Sequence, residues 1–146
     1  TGAYLCSKWY GSAISRNSDG GSIVNIASDL ALIAPDQRLY MKAGVSKEQQ
    51  PVKPVTYSVI KSGLIGLSRY LATYWPEKNV RSNVLCPGGI FNNQDEVFLK
   101  AVSERIPMGR MARSDELQGA LVYLLSDAAS YVTGAVLSID GGRATW

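Results

Sequence analysis

Apolar side chains recur at helical spacing from the first residues of the chain. Ala3, Leu5, Cys6, Trp9, Tyr10, Ala13 and Ile14 predict an amphipathic helix. NSDGG, Asn17 to Gly21, is a turn signal, and Ile23, Val24 and Ile26 in the following SIVNIAS predict a short buried strand over Ser22 to Ser28. Asp29 to Val55 has no sustained period and carries three prolines among mixed charges, which predicts a long loop or excursion. A second helix is expected from Thr56 to Trp75, stopped by Pro76 because a proline ring clashes with the preceding turn. Val80 to Cys86 reads as a strand ending in PGG. Glu96 to Ser103 reads as a short helix, and Asp115 to Leu125 as a longer one with Ser114 as its cap. Ala135 to Ile139 closes the series as a strand ending in DGG.

Strands that alternate with helices, each strand short and apolar enough to be covered on both faces, predict an α/β fold. The expected architecture is a doubly wound parallel sheet of the Rossmann-like type. No internal repeat or low-complexity tract interrupts it.

Composition narrows the chemistry. The chain has 146 residues, 46% hydrophobic and 18% charged, the profile of one globular unit able to bury a core. There is no histidine, which excludes His-based triads and His-ligated metals. Cys6 and Cys86 form no CxxC pair, so neither a disulfide framework nor a zinc site is suggested. The net charge of +3 is small and scattered, without the basic stripe that a nucleic-acid groove needs. No apolar run is long enough to argue a membrane span, and a cytoplasmic location is expected.

In doubly wound sheets, ligands sit beyond the carboxyl ends of the strands. Ser28 follows the first strand there, Pro87-Gly88-Gly89 follows the second, and TYSVIKSG opens the helix between them. Helical spacing puts Tyr57 and Lys61 on one face, one turn apart. The pattern Y-x-x-x-K also occurs at Tyr4/Lys8 and Tyr74/Lys78, so spacing alone does not choose. Context does. Tyr74/Lys78 runs across Pro76, and Tyr4/Lys8 has no strand-end hydroxyl upstream. Only Tyr57/Lys61 follows a strand ending in a hydroxyl and precedes a strand ending in a Gly-rich turn. The bland alternatives are a surface Tyr–Lys pair, a serine serving as a turn or helix cap, and glycines that merely permit close packing.

NIAS at Asn25 to Ser28, YSVIK at Tyr57 to Lys61, NVLCPGGI at Asn83 to Ile90 and TGAVLSIDGG at Thr133 to Gly142 stand in an order that resembles the short-chain dehydrogenase/reductase family. The resemblance implies an oxidoreductase that interconverts an alcohol and a carbonyl by hydride transfer with NAD or NADP, on a polar or sugar-like small molecule. It implies that Ser28, Tyr57 and Lys61 are catalytic and that Tyr57, Lys61, Pro87, Gly88, Ile90 and Asn92 touch the cofactor. It also implies a homodimer or homotetramer, with the Tyr57 helix packing across a subunit interface in a way that would suit Gly63 and Gly66. The chemistry is coherent. Hydride transfer to a carbonyl leaves an alkoxide that needs a proton. A free phenol, ionising near pH ~10, is a poor base at neutral pH. An ammonium ~6 Å away at an effective dielectric of ~20 favours the phenolate by about 2.8 kcal/mol, so the cofactor's positive charge has to supply more.

Three departures from the pattern shape the remaining expectations. The glycine-rich pyrophosphate turn is absent, so the chain reads as the carboxyl-terminal part of a dehydrogenase domain, and the resemblance places the turn and a catalytic asparagine upstream. Ser28 and Tyr57 are further apart than is usual in the family, marking residues 36–54 as an insertion whose charges sum to 4 − 2 = +2 and suit an anionic substrate as well as they suit a solvated loop. The turn after the second strand ends in Asn92 where the family usually has threonine. APDQRLY and GGIFNNQ are similar to a subgroup linked to flagellin and surface-sugar modification in bacteria. The alternative readings are a nucleotide-sugar epimerase or dehydratase with tightly bound NAD, and an inactive truncated chain. The short tail after the DGG strand argues against the epimerase class, whose members usually append a substrate domain.

Overall fold

The computed structural model describes residues 1–146. Helix α1 (Gly2–Ile14) leads to strand β1 (Gly21–Ile26), and three short 3-10 turns then carry the chain to helix α2 (Val55–Tyr74). Strand β2 (Val80–Pro87), helices α3 (Glu96–Ser103) and α4 (Gln118–Leu125) and strand β3 (Val136–Ile139) complete the order. The sheet is parallel throughout with β2 in the centre, Ile23 opposite Ser82 and Leu85 opposite Leu137. No helix is long and apolar enough to cross a membrane.

A central strand is covered on both faces, and β2 shows it: every residue but Arg81 is buried. Val84 and Cys86 pack with Ala27 against Leu64 and Ile65 of α2. On the opposite face, the Ser22 hydroxyl and the Arg81 guanidinium both donate to the carbonyl of Leu124 in α4. Polar residues in this core are satisfied in a chain. Asn25 Nδ2 donates to the Ser68 hydroxyl at 2.9 Å, and that hydroxyl donates to the Asn83 carbonyl at 3.1 Å, tying α2 to both β1 and β2. A separate small core of Leu39, Val102, Ile106 and Met111 sits beside the carboxyl end of the sheet.

Two expectations need correction. The apolar residues of α1 do not all turn inward: Leu5, Trp9 and Tyr10 are exposed, and Ser7 and Gly11 are buried. The reason is distance. A Cβ on Gly11 would lie 2.6 Å from the Trp75 ring, so only small residues fit where α1 meets its neighbours. Ser114 does not cap α4. The chain enters that helix through a 3-10 turn, Ser114–Leu117, where the Glu116 carboxylate accepts the Arg113 N–H at 2.8 Å.

The segment 36–54 is irregular, yet it is anchored. Leu39 belongs to the small core, Asp36 takes hydrogen bonds from both Arg38 and Arg105, and Gln50 holds Lys42 from both sides of its backbone.

Candidate active site

β1 and β2 end side by side, and a cleft of about 510 Å3 opens beyond their carboxyl ends. Ser28, Tyr57, Pro87, Gly88 and Ile90 all line it. Each reaches it by a local device. β1 stops at Ile26, and Ser28, in extended conformation, accepts the Leu30 N–H and starts a 3-10 turn over Asp29–Ala31. The serine is therefore a cap as well as a cleft residue. Tyr57 stands in the first turn of α2, its N–H donating to the Pro54 carbonyl at 3.0 Å. Pro87 ends β2, and Ile90 forms a single parallel bridge with Ala112 that holds the turn open along the cleft.

Lys61 lies one turn beyond Tyr57. Its Nζ donates to the Ile26 carbonyl at 2.9 Å and stands 5.8 Å from the centre of the Tyr57 ring. An ammonium has three donors, and this contact uses one, anchoring α2 to the end of β1. The other two Tyr–Lys pairs lie elsewhere. Tyr4 and Lys8 sit in a groove between α1 and α2, and Tyr74 stacks on Tyr70 with ring centres 5.4 Å apart.

The structure does not bring Asn92 onto the cleft wall. Its side chain is exposed, and its N–H donates to Gln94 Oε1 at 2.8 Å. Gln94 lines the cleft in its place and donates to the Ile90 carbonyl at 2.9 Å.

Four further residues line this wall, of which the sequence marked only Lys53, as one of the charges of 36–54. The Ser28 hydroxyl donates to Asp29 Oδ1 at 2.9 Å, and Asp29 Oδ2 accepts from Arg143 Nη1 at 2.9 Å. This ion pair is buried, with side-chain exposures of 4% and 10%, so both charges are neutralised within the wall. Tyr40 is the third residue, its phenol pushed up from the ordinary range chiefly by burial. Lys53 is the fourth, with its Nζ 4.0 Å from the centre of the Tyr57 ring and 5.9 Å from that of Tyr40. The DGG-R sequence and the asymmetry of charge in 36–54 were the available signals, but neither says what these side chains meet. Beneath the site Cys86 is fully buried, and burial pushes its thiol up.

The Gly88 and Gly89 turn runs close to its neighbours: a Cβ on Gly88 would lie 2.8 Å from the Asp140 Cα. A turn bare of side chains, beside a phenol, a hydroxyl and an ammonium with spare donors, fits the nicotinamide end of a dinucleotide.

The chain is similar to known proteins over nearly its whole length. The family model described as enoyl-(acyl carrier protein) reductase matches residues 1–144. The chain is 32% identical over 133 residues to 2-dehydro-3-deoxy-D-gluconate 5-dehydrogenase of Dickeya dadantii, covering 87% of this chain and 46% of that protein. It is 34% identical over 122 residues to post-translational flagellin modification protein A of Campylobacter coli, covering 84% and 45%. A crystal structure of a short chain dehydrogenase from Leptospira borgpetersenii with bound NAD+ superimposes with a TM-score of 0.87 at 32% identity, covering 98% of this chain and 52% of the other. The chain spans about half the length of the curated relatives it matches. The flagellin-modification protein stands among relatives of comparable identity and singles out no subgroup.

Proposed function

The chain belongs to the short-chain dehydrogenase/reductase family, and we propose that its cleft interconverts an alcohol and a carbonyl on a polar, sugar-like small molecule with NAD or NADP. The observation that carries this is the meeting of Ser28 and Tyr57 on one cleft at the ends of β1 and β2, with Lys61 tied to the last carbonyl of β1. A bound nicotinamide supplies or takes up the hydride. Proton transfer and charge stabilisation fall to three side chains of this chain.

Tyr57 gives its phenolic proton to the forming alkoxide, or removes the hydroxyl proton in the reverse direction. Lys61 places positive charge beside that phenol and keeps two donors for the cofactor ribose. Ser28 turns its hydroxyl from Asp29 toward the cleft and donates to the substrate oxygen as charge develops there. Pro87, Gly88 and Ile90 are the lining residues that would hold the nicotinamide. The relative named for 2-dehydro-3-deoxy-D-gluconate supports a sugar-derived substrate.

We further read residues 36–54 as an insertion that walls the cleft and α2 as the contact face of a homodimer or homotetramer. Val59, Ile60 and Tyr70 are exposed along α2, and nothing in the chain lies within 4 Å of a Cβ built on Gly63 or Gly66.

The test joins this chain to the part of the Leptospira relative that it does not match and follows nicotinamide absorbance with a panel of sugars and sugar alcohols. Tyr57→Phe is expected to lower kcat by about 10²–10⁴-fold. Undiminished turnover removes Tyr57 from its role. Cofactor that is never released in reduced form favours the epimerase class instead.

A further inference from the structure

Charges on the cleft wall nearly cancel. Asp29 is its only acidic residue, and Arg143 holds it at 2.9 Å. Lys61 rests on a backbone carbonyl at the end of β1. Lys53 is left over: its ammonium takes part in none of the ion pairs and makes no hydrogen bond within the chain.

Lys53 is nevertheless held in place. Its backbone N–H donates to Gln37 Oε1 at 2.8 Å, and its carbonyl accepts from Gln37 Nε2 at 3.5 Å, so one carboxamide clamps both sides of the residue. Pro54 follows at once and restricts Lys53 to extended backbone. The side chain then lies half-buried between two aromatic rings, Tyr57 and Tyr40. Ring faces attract the cation without using its N–H donors, so all three remain for a ligand. A solvated surface lysine has no such clamp and no such rings.

We infer that Lys53 recognises a carboxylate on the substrate, so that the enzyme acts on a sugar acid in preference to the neutral sugar alcohol of the same carbon skeleton. The inference rests on the dehydrogenase reading of the cleft and names the substrate class within it. An ammonium 4.0 Å from the centre of the Tyr57 ring places the bound anion only a few bonds from the carbon that Tyr57 serves. Lys53 is the one cation on this wall with neither an acid nor a hydrogen-bond acceptor, and a single carboxylate supplies both.

The test measures kcat and KM on the joined enzyme for gluconate, sorbitol and a sugar phosphate, in the parent, Lys53→Gln and Lys53→Arg forms. Saturation-transfer NMR of gluconate binding is measured beside them. The parent is expected to favour gluconate over sorbitol, and Lys53→Gln to lower the gluconate-to-sorbitol ratio of kcat/KM by about ten- to hundredfold, mainly through KM. Lys53→Arg keeps most of the ratio, and the gluconate NMR signal weakens in Lys53→Gln. A parent that prefers sorbitol or the sugar phosphate, or a ratio unmoved in Lys53→Gln, overturns the inference while Tyr57-dependent turnover leaves the dehydrogenase reading standing. Absence of Tyr57-dependent turnover with every substrate overturns both.

Discussion

Arg143 Nη1 meets Asp29 Oδ2 at 2.9 Å, joining the residue after the strand-end serine to the chain's last turn, 114 positions away. The other carboxylate oxygen accepts the Ser28 hydroxyl, so the closing segment, which lines the cleft through Arg143, is also coupled to Ser28 through one acid. Removing one partner of such a pair strands a buried charge. Arg143→Leu is expected to cost about 3–5 kcal/mol by chemical denaturation, and the double change Arg143→Leu, Asp29→Leu to recover part of that loss. A single variant as stable as the parent would show that the pair is not closed in solution.

Lys61 has a structural and a chemical task that can be separated. Lys61→Met removes the hydrogen bond to the Ile26 carbonyl, with an expected stability loss of about 1 kcal/mol. Loss of one of the two ammonium charges beside Tyr57 is expected to lower kcat by about tenfold or more, with Lys61→Arg recovering part of it. If kcat holds while the melting temperature falls, the lysine is an anchor only.

Two ion-paired carboxylates are expected to make the fold sensitive to acid. The bidentate Arg110 guanidinium, helped by the Arg113 N–H, lowers the Glu116 carboxyl from 4.5 to about 2. Arg38 and Arg105 hold Asp36 well below the usual carboxylate range in the same way. A carboxylate depressed on folding contributes stability above its unfolded pKa and loses it as pH falls toward the folded one. The melting temperature is therefore expected to drop between about pH 4.5 and 2, and Glu116→Gln to flatten that drop while lowering the value at neutral pH. An equally steep acid limb in the variant would assign the sensitivity elsewhere.

Gly66 offers a test of assembly that spares the fold. Its Cβ position is open and its backbone is helical, so Gly66→Arg is sterically tolerated within one chain and improves helix propensity. If α2 pairs with a second copy, the bulky cation blocks that approach. Sedimentation velocity is expected to show smaller assemblies without loss of thermal stability of the subunit.

Gly88→Ala places a Cβ 2.8 Å from the Asp140 backbone, where no flexible side chain can give way. The expected cost is about 1–3 kcal/mol, read by denaturation, since the turn after β2 must move away from the loop after β3.

The order and parallel character of the elements, and the pairing of Tyr57 with Lys61, were set by the sequence by itself. Hydrophobic periodicity and the i, i+4 relationship are local, and so they survive without knowledge of partners. Context also separated this pair from Tyr4/Lys8 and Tyr74/Lys78, which the structure puts away from the cleft. Only the tertiary structure decided which side of α1 faces in, because close approach at Gly11 overrides the apolar pattern there. It also chose Gln94 over Asn92 as the residue on the wall. The Asp29–Arg143 bond and the seat of Lys53 between two rings join residues distant in sequence or lying in a segment without period. Such contacts depend on how the chain returns to the sheet edge, and no short window of residues encodes that return.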